Sequence, residues 1–200
     1  MNLSIIIPTL GRDTLLRTWE SIYPQLEDGD RVWMIADGMP AYTKCRQIHG
    51  YRHEPVVVCC ETQPEMAKQP GGSQRNAFLN CGGRYGGDYL LWIDDDDVYL
   101  PGALAVIRGA LAVNPGVPHL FRMKQPWGLV WADGSEGLLI EGNVGTPMIV
   151  APNIPEKLGR FGNRYEGDFD FIQQTVSLHG GEVIWRPEVI VECRPKEASK

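Results

Sequence analysis

Four consecutive aspartates, Asp94-Asp95-Asp96-Asp97, follow the apolar run Tyr89-Leu90-Leu91-Trp92-Ile93 and precede Val98-Tyr99-Leu100-Pro101. Four like charges in a row repel one another, and burying them unpaired is costly. A hard divalent cation resolves that conflict, because Mg²⁺ or Mn²⁺ prefers carboxylate oxygens and commonly brings substrate phosphates with it. A solvated acidic turn is the competing reading of such a run taken alone. The apolar run reads as a buried strand, which sets the carboxylates at its C-terminal end. Open α/β sheets hold their ligands at that edge.

Other residues could serve the same edge. Gly71-Gly72 ahead of Ser73-Gln74-Arg75-Asn76 puts two glycines before a predicted helix start, a geometry suited to anions, with Ser73 as its N-cap. Arg75 could stack on or pair with a nucleotide. Asp37 ends a second predicted strand, where a carboxylate can accept hydrogen bonds from a uracil or guanine edge or a ribose hydroxyl. It reads equally as a turn aspartate before Gly38. Pro8-Thr9 turns the backbone at the end of the first strand and leaves the Thr9 hydroxyl free near the cleft. Glu166 and Asp168 stand at a late helix start, where a carboxylate can act as a base or simply complement the helix dipole.

The elements that must position these residues alternate in the first half. Leu3 to Pro8 is a continuous apolar strand, followed by a helix with Leu15, Leu16, Trp19 and Ile22 on one face. Strands are predicted at 31–36, 55–60 and 89–93, and helices at 73–81 and 101–113. Alternation with short connections means a parallel sheet. The second half changes character. Segments 128–131 and 137–141 flank Asp133-Gly134 as a β-hairpin, 147–151 is a further strand, and 167–179 is a helix. Short strands follow at 183–185 and 189–193. The reading is a single α/β domain over 1–200, its alternating half about 1–101, its second half about 102–193, and a frayed tail at 194–200.

Composition bounds the function. The 200 residues carry a net charge of −6, which argues against a general polyanion binder. Five cysteines, odd in number and without CxxC spacing, suit reduced thiols rather than a disulfide framework or a zinc site. No apolar stretch is long enough to span a membrane, and the N-terminus lacks a charged region ahead of its Ile5-Ile6-Ile7 run. A cytoplasmic protein is expected.

The ordered set Ser4-Ile5-Ile6-Ile7-Pro8-Thr9, Asp37-Gly38, Gly72-Ser73-Gln74-Arg75-Asn76, Ile93-Asp94-Asp95-Asp96-Asp97 and Tyr165-Glu166-Gly167-Asp168 resembles the family 2 glycosyltransferases of the GT-A fold. The likeness runs over roughly residues 3 to 193. It implies transfer of a sugar, with inversion, from a nucleoside-diphosphate sugar (a UDP- or GDP-sugar) to a hydroxyl acceptor, assisted by Mn²⁺ or Mg²⁺. It implies donor contacts from Pro8, Thr9, Arg12, Asp37, Gly72, Arg75, Asn76, Asp94 and Asp95. Asp96 is implied as the direct metal ligand, Asp94 contacts ribose or a metal-bound water, and Asp97 caps the next segment or orients a ligand. Asp168 is the implied base. The family's motif usually reads Glu-Asp, and Gly167 replaces the first acid here, so Glu166 stays a rival. Many relatives carry a histidine near the last strand that helps hold the metal; here that region reads Val191-Glu192-Cys193-Arg194.

Trp127, Trp131 and Tyr165 could stack on an acceptor, with Gly145-Thr146-Pro147 bordering the cleft. Other readings stay open: a sugar-nucleotide or Ca²⁺-binding module that has lost catalysis, a nucleotidyltransferase for which Gly11-Arg12 is a poor loop match, and glycosylation of a modified DNA base. The last would use a basic patch of Arg12, Arg17, Arg46, Arg52 and Lys68, against the acidic balance of the chain.

Overall fold

A computed structural model describes residues 1–48, 53–62, 71–81 and 86–195. Among them β1 (Leu3–Thr9), β2 (Arg31–Asp37), β3 (Val56–Cys60) and β4 (Tyr89–Trp92) lie in the order β3-β2-β1-β4, all parallel. Every residue of β1 and β4 is buried, because the sheet is covered on both faces there. The ends of β1, β2 and β4 therefore share one edge. The Ile93 N–H donates to the Ile6 carbonyl at 3.1 Å, which carries the pairing up to the first aspartate.

Helix α1 (Leu15–Ile22) buries Leu15, Thr18, Trp19 and Ile22, while Leu16, expected on its apolar face, is exposed. Spacing explains the exchange: Thr18 completes the i, i+3, i+4, i+7 stripe that Leu16 misses. Helix α2 (Gly38–Cys45) follows β2 directly and was not foreseen, since its sequence Gly-Met-Pro-Ala-Tyr-Thr-Lys-Cys opens on helix-weak residues. Helix α3 (Gly72–Asn80) starts one residue before the prediction. Its N-cap is Gly71 and not Ser73, which lies buried in the first turn. Gly71 has φ +77°, and a Cβ there would sit 3.1 Å from the Arg75 guanidinium and 3.2 Å from Pro8. Glycine is thus required by both backbone conformation and close approach.

The rest of the sheet is mixed. β5 (Val98–Tyr99), helix α4 (Ala103–Val113), β6 (His119–Gln125), β7 (Gly128–Val130), β8 (Ile149–Pro152), helix α5 (Gly167–Leu178) and β9 (Ile184–Glu192) complete the fold. Beyond β4 the order continues β8-β6-β9-β5, with β4–β8, β8–β6 and β9–β5 antiparallel, β6–β9 parallel and β7 paired to β6. The antiparallel hairpin exists, but it joins β6 to β7 across Pro126-Trp127 instead of turning at Asp133-Gly134. Residues 137–141 form turns and no strand. β6 escaped notice because Arg122 and Lys124 interrupt its apolar pattern. Arg122 is nonetheless buried: its Nε donates to the Trp131 carbonyl at 2.9 Å, its Nη2 meets Asp133 at 2.8 Å, and its guanidinium lies 4.8 Å from the Trp131 ring centre.

The two predicted late strands are one. β9 passes through Pro187 on a bulge, where Trp185 pairs with Leu120 and the next pair is Val189 with Arg122. The skipped residues let the ladder resume beyond a proline that cannot donate to it.

Candidate active site

Helices and strands bring the acidic turn, the start of α3 and the start of α5 together. Beneath them is an aromatic cluster. Trp92 meets Phe78, Phe161 and Phe171 edge-on at 5.8, 5.4 and 5.5 Å, and Phe161 stacks on Phe171 at 4.3 Å. This packing fixes the strand immediately before Asp94 against the helix that carries Asp168.

Arg75 sits on that cluster, its guanidinium 5.2 Å from the Phe161 ring centre and its side chain only 2% exposed. It donates to Asp94 and lies 3.8 Å from an Asp168 oxygen. Burial opposes its charge, but Asp94, Asp168 and Asp97 outweigh that and hold it firmly cationic. Expected beside a nucleotide, Arg75 is placed between the acidic turn and the α5 carboxylate. Asn76, the next residue, fastens the neighbouring loop: its amide donates to the Phe161 carbonyl at 2.9 Å and accepts from the Phe161 N–H at 3.1 Å.

The four aspartates have different surroundings. Asp95 is buried and turned toward β1, accepting from the Thr9 hydroxyl at 2.6 Å, the Leu10 N–H at 3.2 Å and Arg12 at 3.1 Å. The Thr9 hydroxyl, which sequence reasoning left free, is occupied by that bond and by the Gly11 N–H at 2.8 Å. Arg12 bridges Asp95 and Asp96. The other three, Asp94, Asp96 and Asp97, each offer an oxygen within 4.8 Å of the others. Desolvation and the neighbouring aspartates push the Asp97 carboxyl up to about 7, opposed by the Arg194 N–H it accepts at 3.0 Å. Burial also raises Asp94, with Arg75 pulling the other way and Asp168 adding to the rise. Three oxygen donors whose mutual repulsion is only partly relieved match the demand of a hard divalent ion. Asp97 belongs to this trio by position, which the sequence could not show because all four aspartates look alike.

Asp37 lies one strand away from Thr9, at the end of β2. Its carboxylate accepts from the Thr62 N–H at 2.8 Å and from the Thr62 hydroxyl. Pro8 and Gly72 line the same edge, with Gly71 seated on Pro8.

The two rival carboxylates at α5 part company. Asp168 is 28% exposed, faces Arg75, and accepts from the Thr146 N–H at 3.3 Å. Glu166 is 41% exposed and lies 3.7 Å from Arg164, in a network that also ties Arg164 to Glu141 and Asp170, each at 2.6 Å. Only Asp168 of the pair is joined to the acidic turn. Of the candidate stacking residues, Trp131 is buried against Trp185 and belongs to the core, whereas Trp127 and Tyr165 are exposed. Within the expected basic patch, Arg12 pairs with aspartates and Arg17 with backbone carbonyls, while Arg52 and Lys68 lie outside the described residues.

A parallel β-sheet ending in an acidic turn, extended by a mixed sheet and faced by a carboxylate on a late helix, defines a GT-A-type α/β protein. Solved structures agree on the fold. S. aureus TarS superposes with a TM-score of 0.70 at 16% identity, covering 96% of this chain and 36% of that one. TarS 1–349 in complex with UDP-GlcNAc gives 0.63 at 14% identity, covering 100% and 60%. The mannosyltransferase PcManGT from Pyrobaculum calidifontis, in complex with GDP-Man and Mn²⁺, gives 0.66 at 18% identity, covering 98% and 57%. The chain thus spans 36% to 60% of the length of these relatives. No curated protein matches the sequence. The model of Glycosyl transferase family 2 matches residues 4–125, well over half of the chain, and the chain belongs to that family.

Proposed function

We propose that this protein is a metal-dependent inverting glycosyltransferase that moves a sugar from a nucleoside-diphosphate sugar to a hydroxyl acceptor. The observation that carries the reading is Arg75, which joins Asp168 to the acidic turn. Family membership and the donor complexes of TarS and PcManGT support the same class of donor. Asp94, Asp96 and Asp97 would hold Mn²⁺ or Mg²⁺. A divalent ion there supplies positive charge against the leaving diphosphate.

The chain's own residues do the rest. Asp37 and the end of β1 receive the nucleoside. Asp168 takes the proton of the acceptor hydroxyl while that oxygen attacks the anomeric carbon, and the bond to the diphosphate breaks on the opposite face. The leaving group is already a good one, so one carboxylate suffices. Arg75 holds Asp168 toward the acidic turn. Among the described residues no helix is long and apolar enough to cross a membrane, and all five cysteines are free.

Release of UDP or GDP from a panel of sugar nucleotides, with Mn²⁺, Mg²⁺ or EDTA and with mixed hydroxyl acceptors, tests this reading. Metal-dependent release that Asp168→Asn abolishes is the expected result. Release of pyrophosphate from a nucleoside triphosphate and a sugar phosphate, with no diphosphate release, would replace it by nucleotidyl transfer.

A further inference from the structure

The segment just past β9 is strapped across the acidic turn. The Arg194 N–H donates to Asp97 at 3.0 Å, the Cys193 N–H donates to the Lys124 carbonyl at 2.8 Å, and Arg17 of α1 reaches over to the Pro195 carbonyl at 3.0 Å. Arg17 also holds the Asp96 carbonyl at 3.3 Å, so one side chain ties the strap and the turn together. Arg194 has φ +45°, a backbone region that a non-glycine residue occupies when its surroundings hold it there. The result is that its guanidinium returns to the turn, with Nε 3.4 Å from Asp96, while the side chain as a whole is 72% exposed. Asp96 also receives Arg12 at 3.0 Å.

Two guanidinium groups thus share one aspartate of the trio that would bind a metal. They supply, without metal, part of the positive charge the trio needs. A divalent ion entering the site competes with both of them for the charge of Asp96, because both contact its oxygen Oδ2. Arg194 is the freer of the two: it is the more exposed, and Arg12 keeps a second anchor on Asp95. Once released it remains tethered at the rim by its backbone bond to Asp97. Its planar donors then face a site where a metal-bound diphosphate would add negative charge, the ligand geometry that arginine suits best.

We propose that Arg194 is an exchangeable counter-ion: it holds Asp96 in the metal-free protein and, when a divalent ion takes Asp96, turns to the donor diphosphate. This rests on the donor reading above for its second half only. The role makes Arg194 a competitor of the metal and a partner of the nucleotide, two effects of opposite sign on one residue.

The test uses Arg194→Gly, which suits the positive φ, and Arg194→Lys, which retains a charge. Mn²⁺ affinity is measured first without nucleotide, from the electron paramagnetic resonance of free Mn²⁺. UDP and GDP affinities are then measured by calorimetry in saturating Mn²⁺. The expectation for Arg194→Gly is Mn²⁺ binding up to about fivefold tighter, with the nucleoside diphosphate bound about tenfold more weakly. Arg194→Lys should fall between Arg194→Gly and the wild type on both scales. Unchanged or weaker Mn²⁺ binding by Arg194→Gly overturns the counter-ion role, and unchanged diphosphate binding overturns the second. A wild type that binds Mn²⁺ but neither UDP nor GDP refutes the donor reading and the second half with it, while the Mn²⁺ comparison still decides the first.

Discussion

The two halves of this sheet achieve burial by different means. In the parallel half, β1 and β4 are buried along their whole length; β1 is apolar apart from Ser4 and its last residue Thr9, and the charged residues come only after each of these strands has ended. In the mixed half, β6 carries Arg122 within its buried stretch and β9 carries Arg186, Pro187 and Glu188. The first half therefore separates structure from chemistry along the chain. In the second half the same short segments do both, so a charged residue there can be a packing element. Arg122, enclosed by Trp131 and Asp133, is one. Arg75 crosses the divide, since it comes from the parallel half and holds the late helix through Asp168.

That contrast makes mutational effects separable. The largest should come from Asp168→Asn, which keeps shape and removes the proposed base: turnover falls by about 10²–10⁴-fold with donor binding little changed, read from steady-state kinetics alongside nucleotide titration. Arg75→Met should act on both halves at once. Removing the cation from a buried ion pair costs about 3–5 kcal/mol, and the partial exposure of Asp94 and Asp168 argues for the lower end, about 3 kcal/mol. A denaturant melt would show it.

Smaller effects belong to single halves. Gly71→Ala forces a Cβ against Pro8 and Arg75 at φ +77°, and should destabilise by about 1–2 kcal/mol; an unchanged denaturation midpoint would show that α3 shifts freely off β1. Asp97→Asn should change the pH profile of metal-free stability. Because the folded carboxyl is raised to about 7, the native state binds more protons than the unfolded chain between about pH 4 and 7. Stability from this group is present at low pH and lost as pH rises through about 7. The variant should therefore gain on the wild type above pH 7 and lose that advantage toward pH 4, as thermal melts at both ends would reveal. Glu166→Gln should lower turnover by less than about threefold, since Glu166 faces Arg164 and not the acidic turn.

The same difference explains what could be read from the residues. β1, β2 and β4 announce themselves because a fully buried parallel strand must be apolar and short. Their order, and the turn of aspartates after the last, made the GT-A fold readable before any coordinates. β6 was hidden because Arg122 is satisfied by a backbone carbonyl and a ring from residue 131, a partner that no local pattern reveals. β9 was divided at Pro187 because the bulge that absorbs it depends on the register with β6. At the site, residue types suggested carboxylates and an anion-binding helix start, but not their allegiances. Asp95 turning to Thr9, Asp97 joining Asp94 and Asp96, and Arg75 bridging to Asp168 are all contacts between residues 19 to 93 positions apart, or between identical neighbours distinguished only by the turn they make.

Thermal unfolding with UDP, GDP and their sugar conjugates, each with Mn²⁺, Mg²⁺ or EDTA, tests most directly whether this edge is a metal-dependent donor site. The account predicts that a nucleotide adds stability only when a divalent ion is present, about 2.7 kcal/mol at a hundredfold excess over the dissociation constant, and that this added stability disappears in Asp96→Ala. Stabilisation equal in EDTA, or retained in Asp96→Ala, would contradict it.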